Sequence, residues 1–236
     1  EVFEFACSKR EVALLCEQRT GKTFITMKLI EHRIEELGEL DFVGLHVCIL
    51  NNKESTWEDN LREHLPHLQV FTEWDKFRKA KGHRLLLVHY EELAKLISRL
   101  VKHKKFNWAS VDEAHRLYNR GSKQSRAMAR MHWVEWKLLL TGTPMEKRPT
   151  DFFAQFLFLN REVFGTRYAD FEEEWLTWKK LDLEGFKGMR PGGPAWKQKM
   201  LQQRILKSKA KFKEERLQEF VDLLKHLWIP ALIVGV

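Results

Sequence analysis

The chain has 236 residues, enough to bury a full core and to form one domain with an appendage. Hydrophobic residues at 44% with clear periodicity exclude a disordered chain, and 41 basic against 33 acidic side chains, a net +8, point to a polyanionic partner. Cys7, Cys16 and Cys48 lack ligand-pair spacing and the histidines are scattered, which excludes a zinc site and fits a reducing cytosol.

No secretion signal is visible and no apolar run reaches membrane-spanning length, so a cytoplasmic protein without a membrane partner is expected. Taken in order, residues 1–8 read as a short helix and Val12–Leu15 as a first strand. The stretch Cys16-Glu17-Gln18-Arg19-Thr20-Gly21-Lys22-Thr23 follows, and then a helical pattern with Phe24, Met27, Leu29, Ile30 and Ile34 that ends near Leu37-Gly38. Leu45–Leu50 is a second strand, and Ser55 or Thr56 is placed to cap a helix that stops before Pro66. Gln69–Phe71, Arg84–His89, Trp108–Val111 and Trp136–Leu140 read as further strands, with a helix over Glu91–Lys102. Near-continuously apolar strands alternating with helices predict an α/β fold, a parallel sheet with helices on both faces. Ligands of such sheets bind at the C-terminal ends of the strands.

From about Thr166 the strand signals fade. Phe171, Trp175, Trp178 and Leu181 suit one helix face, 185–193 is a Gly-rich loop, and 197–216 is strongly basic. The division expected is a domain over 1–165 and a helical basic extension over 166–236.

Two motifs carry chemistry. Strand, tight loop and helix is the context of a phosphate-binding loop: Gly21 lets the backbone approach a phosphate, and N–H groups at the helix start face the anion. Glu17, Gln18, Arg19 and Thr20 form the loop, Lys22 brings a cation to the outer phosphates of ATP, and Thr23 can ligate Mg²⁺. The pattern is incomplete, since Cys16 stands where such loops usually carry Gly. The second motif is Asp112-Glu113-Ala114-His115, directly after an apolar strand. Nucleotide hydrolysis needs such a pair: one carboxylate holds the metal and the next activates water.

With both motifs in place, the sequence resembles the superfamily 2 helicases, and among them the Swi/Snf-type DNA-dependent ATPases, including phage and bacterial members. Five segments carry the likeness, in the family's order: residues 17–23, 47–57, 88–93, 111–120 and 139–144. Asp112-Glu113-Ala114-His115-Arg116-Leu117-Tyr118-Asn119 is similar to the Swi/Snf form of the acidic box, a DEAH box with an Asn close behind it. The resemblance covers about residues 1–175 and implies a P-loop, RecA-like motor domain. It implies that Gly21, Lys22 and Thr23 grip phosphates and Mg²⁺, that Asp112 positions the metal and that Glu113 activates water. His115 would couple the γ-phosphate region to the Thr141-Gly142-Thr143 segment. Ser55, Trp57, His89, Tyr90, Thr141 and Gly142 match segments that in the family lie along the nucleic-acid strand, where contacts go mostly to phosphates.

The family's engine has two such domains with ATP between them, and the second supplies arginine fingers. No second strand-helix series follows residue 165, and the family's adenine-reading Gln falls before Glu1. The expectation is half an engine that needs a second RecA-like domain in cis or trans and hydrolyses ATP slowly by itself. Duplex DNA is the expected substrate, on the Swi/Snf-like features alone. A strand-separating helicase and a catalytically idle DNA- or protein-binding module remain as competing readings.

Overall fold

A computed structural model describes residues 2–17, 19–143, 145, 149–177, 198, 200 and 210–227. Six strands, β1 (Glu11–Leu14), β2 (Val43–Cys48), β3 (Gln69–Phe71), β4 (Arg84–His89), β5 (Trp108–Val111) and β6 (Trp136–Leu140), form one sheet in the order β1-β6-β5-β2-β4-β3. Every pairing in it is parallel. The expected α/β, RecA-like architecture is thus the one found. β2 has all six residues buried, and its interior position demands Gly44: a Cβ there would lie 2.4 Å from Leu85 Cδ1 and 2.7 Å from Phe42 Cε1.

Alternation along the strands divides the core between two faces. Val43, Leu45, Val47, Leu86, Val88 and Ala109 face one side, against α6 (Tyr90–His103) and α7 (Lys123–Ala129). Leu85, Leu87, Trp108, Leu138 and Leu140 face the other, against α1 (Val2–Cys7), α2 (Lys22–Leu37) and α4 (Asp59–His64). Arg33 of α2 is buried and donates to the carbonyls of Ala6, Cys7 and Lys9 at 3.2, 2.9 and 2.7 Å, which ties the end of α1 to α2.

One expectation needs correction. No fresh helix starts at Ser55 or Thr56. The chain turns helical at α3 (Leu50–Asn52), directly after β2, and continues through a π-helical turn (Lys53–Glu58) into α4. Apolar packing runs across residue 165 among the described residues. In α8 (Thr150–Leu159), Phe158 and Leu159 join the sheet core. Phe152, Phe153 and Phe156 of the same helix pack with Phe164 of α9 (Arg161–Phe164), Phe171 and Trp175 of α10 (Tyr168–Trp175) and Phe220 of α11 (Glu214–Leu227). Each ring offers much apolar area, so a phenylalanine-rich helix with two apolar faces serves both cores. A short antiparallel pair, β7 (Leu176–Thr177) with β8 (Lys211–Phe212), closes this region. Trp178, Leu181, the Gly-rich loop and most of the basic stretch lie outside the described residues.

Candidate functional site

β1 ends at Leu14 and α2 begins at Lys22, so the intervening loop lies at the C-terminal edge of the sheet. Gly21 takes φ 81°, the left-handed region where a side chain would be strained, and Arg19 takes φ 65°. Cys16 has no positive φ, which explains why a glycine is dispensable there. Its side chain is buried and its carbonyl accepts from Lys22 Nζ at 2.7 Å. Lys22 Nζ donates also to the Glu17 carbonyl at 2.5 Å, and Thr20 Oγ1 to the same carbonyl at 2.8 Å. Thr23, half-buried, follows on the first turn of α2.

The acidic pair follows β5. The Asp112 N–H donates to the Val47 carbonyl at 2.8 Å, continuing the β5–β2 ladder by one bond. The Asp112 side chain is 7% exposed, and burial pushes its carboxyl above the ordinary value. The N–H of Trp57 on Oδ2 (3.0 Å) opposes that rise, the charge of Glu113 adds to it, and the Glu113 N–H on Oδ1 (2.9 Å) and the charge of Lys22 oppose it. Glu113 adopts φ 50°, ψ 49°, a left-handed conformation that costs a non-glycine residue roughly 1–2 kcal/mol. Neighbours hold it there: the Tyr90 hydroxyl lies 2.6 Å from the Asp112 carbonyl and 3.0 Å from the Glu113 carbonyl, which also accepts from Arg116 N at 3.0 Å.

His115, on the 3₁₀ turn Ala114–Leu117, places Nδ1 3.1 Å from Thr141 Oγ1 and 3.3 Å from Glu113 Oε2. Thr141 begins the loop after β6, and its hydroxyl also accepts from Thr143 N at 3.1 Å. One ring thus joins the loops of β5 and β6, neighbours in the sheet. Glu17, Glu113, His115, Arg116 and Gly142 line a cleft of about 610 Å³ between these loops. Chemically the cleft lining offers the carboxylates of Glu17 and Glu113 and a hydroxyl-linked imidazole, while Lys22 Nζ is hydrogen-bonded to the carbonyls of Cys16 and Glu17 and its charge acts on Asp112.

The residues expected at the phosphates and the acidic box therefore converge, Gln18 excepted, since it lies outside the described residues. Of the residues expected along a nucleic-acid strand, three lie in the interior. Trp57 and Thr141 are fully buried and Tyr90 is 2% exposed, with their polar atoms engaged by Asp112, His115 and the carbonyls of the acidic pair. They brace the site from behind. His89 is half-buried, caps α6 through Glu92 N, and sits 3.0 Å from Glu91 Oε2. Gly142 faces the cleft, and Ser55 falls in the π-helical turn. Sequence reading missed Ile49 and Arg116 as cleft residues. Arg116 directly follows the acidic box, so adjacency to the motif is the signal that would have found it.

A model of the SNF2-related domain matches residues 8–228. The human DNA repair and recombination protein RAD54B is 32% identical over 92 residues, 39% of this chain and 10% of that protein. The ISWI chromatin-remodeling complex ATPase CHR17 of Arabidopsis thaliana is 27% identical over 169 residues, 67% of this chain and 15% of that protein. The chain thus spans a small fraction of these relatives' length. The fold is similar to the Sulfolobus solfataricus SWI2/SNF2 ATPase core in complex with dsDNA, with TM-score 0.61 and 23% identity over 74% of this chain and 36% of that one. With the family match running over nearly the whole sequence, the chain belongs to the SNF2-related domain family.

Proposed function

We propose that this chain is the first motor domain of a DNA-dependent ATP hydrolase, releasing ADP and phosphate to drive movement along or remodelling of duplex DNA. The observation that carries the reading is that the loop bearing Lys22, the acidic pair Asp112 and Glu113, and the His115–Thr141 link meet at the sheet's C-terminal edge, beside a cleft lined by Glu17, Glu113 and His115. The relatives, a DNA repair and recombination protein and a chromatin-remodeling complex ATPase among them, support DNA as the substrate.

The residues fit Mg-ATP. Asp112 is a buried carboxylate whose charge calls for a cation, and with the Thr23 hydroxyl it makes an all-oxygen donor set suited to Mg²⁺. Bound Mg²⁺ would neutralise charge on the β- and γ-phosphates. Gly21 and the start of α2 direct N–H groups at phosphate oxygens, and Lys22 exchanges the carbonyls of Cys16 and Glu17 for the outer phosphates. Glu113 orients the attacking water and takes its proton as the water oxygen bonds to the γ-phosphorus and ADP leaves. His115, touching both Glu113 and Thr141, passes the state of the γ-phosphate to the loop after β6. A second RecA-like domain, in cis or trans, supplies the arginine that phosphoryl transfer uses for a gain of about 10³–10⁵ in rate, so turnover by this chain alone is slow.

The test is Mg-ATP binding and hydrolysis with and without duplex DNA, alongside Lys22→Ala. Nucleotide affinity is expected to fall roughly 10–100-fold in the variant, as for loss of hydrogen bonds to a charged group. Equal ATP affinity in both chains would overturn the reading, and a salt-sensitive DNA affinity that ATP leaves unchanged would favour an idle binding module.

A further inference from the structure

Behind the acidic pair lies a polar assembly that the hydrolysis above does not use. The fully buried indole of Trp57 donates its N–H to Oδ2 of Asp112 at 3.0 Å, while Oδ1 accepts from Glu113 N at 2.9 Å. Each carboxylate oxygen therefore has one fixed donor, which restrains the carboxylate plane and leaves acceptor capacity on both oxygens for an outer ligand. The indole is itself held. Its ring lies on that of His46, with centroids 3.8 Å apart, and His46 Nδ1 is 2.7 Å from Ser110 Oγ, which also accepts from Trp108 Nε1 at 2.9 Å. His46, Trp57 and Asp112 thus form a column from the sheet interior to the cleft. Trp57 sits in the π-helical turn Lys53–Glu58, and such an irregular turn, which re-aims the side chains it carries, frequently marks a functional site.

We propose that Trp57 is a positioning residue for divalent-cation binding: its indole N–H sets the orientation in which Asp112 meets the Mg²⁺ of a bound nucleotide. The inference rests on the reading of the cleft as a Mg-ATP site. Hydrogen-bond partners of a ligating group contribute about 10–100-fold to metal affinity. An indole that only fills space would contribute nothing that a ring of the same outline could not replace.

The experiment measures the affinity of the full chain for a fluorescent ATP analogue with Mg²⁺ and in EDTA, and the ratio of the two reads the metal's contribution. Trp57→Phe keeps an aromatic ring without the N–H. Incorporation of 3-benzothienylalanine at position 57 keeps the bicyclic outline without the N–H, and it decides the matter if the Phe variant does not fold. Both variants are expected to lower the Mg²⁺/EDTA ratio roughly tenfold while the affinity in EDTA stays within about twofold of the parent. An unchanged ratio in the benzothienylalanine chain overturns the proposal. Asp112→Asn, measured alongside, separates the two ways of failing. If it lowers the ratio and the position-57 variants do not, the positioning role alone is wrong. If it too leaves the ratio unchanged, the Mg-ATP reading of the cleft is wrong and the proposal falls with it.

Discussion

The two ends of the central sheet are built from the same strands and serve opposite purposes. At the N-terminal end, polar groups are paired with one another. The Asn107 amide accepts from Val43 N and donates to the Asp41 carbonyl, both at 2.9 Å, and Arg84 pairs with Asp41 at 3.2 Å. Lys137 meets Glu11 at 2.6 Å, and Asn160 donates to the same carboxylate at 2.6 Å. At the C-terminal end, Glu113 and Arg19 take left-handed conformations, Asp112 is a buried carboxylate, and Lys22 finds carbonyls rather than a carboxylate. The first end ties most of these polar groups to one another, Arg84 Nε excepted, and fixes the register. The other keeps charge that a ligand of opposite charge would neutralise, and a left-handed backbone at Glu113 beside it.

That contrast can be broken most directly by Glu113→Gln. Loss of the water-activating carboxylate is expected to lower ATP turnover by about 10²–10⁴, measured as phosphate release, with the thermal midpoint and ATP affinity close to those of the parent. A turnover equal to the parent's would remove Glu113 from the chemistry.

The next largest effect lies in the column beneath the site. Burial drives the His46 imidazole down to about 3 from its ordinary value of 6.5. Between those limits the unfolded chain binds a proton there that the folded chain does not, so stability falls as pH drops from about 6.5 towards 3. The expected slope is about 1.4 kcal/mol per pH unit from this group, and His46→Gln flattens it in denaturant titrations across that range. The raised carboxyl of Asp112 acts in the opposite sense: its folded form holds a proton above the pH at which the unfolded one releases it, which adds stability on acidification.

At the paired end of the sheet, Asn107→Ala removes two backbone contacts and is expected to cost roughly 1–3 kcal/mol in urea unfolding. Nucleotide affinity per folded molecule should not change, and a parallel loss of affinity would mean that the two ends are not separable. The smallest effect sharpens the strain argument. Glu113→Gly relieves the left-handed penalty but adds backbone entropy to the unfolded chain, so stability is expected to stay level or rise by up to about 1 kcal/mol while hydrolysis disappears. A clear destabilisation would show that Glu113 is held without strain.

The strands over 84–89, 108–111 and 136–140 were legible as apolar runs with polar punctuation, because strands covered on both faces have no other composition to offer. The loop before Lys22 and the acidic box were legible because phosphate and metal chemistry needs those residue types at the ends of strands. The burial of Trp57 and Tyr90 was not legible for a physical reason: an aromatic ring with one polar atom suits a nucleic-acid surface and a buried brace equally well, and local sequence does not report burial. The packing across residue 165 was not legible either, since the phenylalanines of α8 give no sign of which core each will enter.

The sequence by itself thus determined the parallel α/β fold, the order of its strands along the chain and the residues at the phosphate loop and acidic box, since periodicity and spacing are local properties. The tertiary structure alone decided that β6 lies between β1 and β5, that His115 joins Thr141, and that Trp57 and Tyr90 stand behind Asp112 and Glu113. The side-chain contacts of His115, Trp57 and Tyr90 join residues 22 to 55 positions apart, and they form only because the sheet aligns its strand ends along one edge.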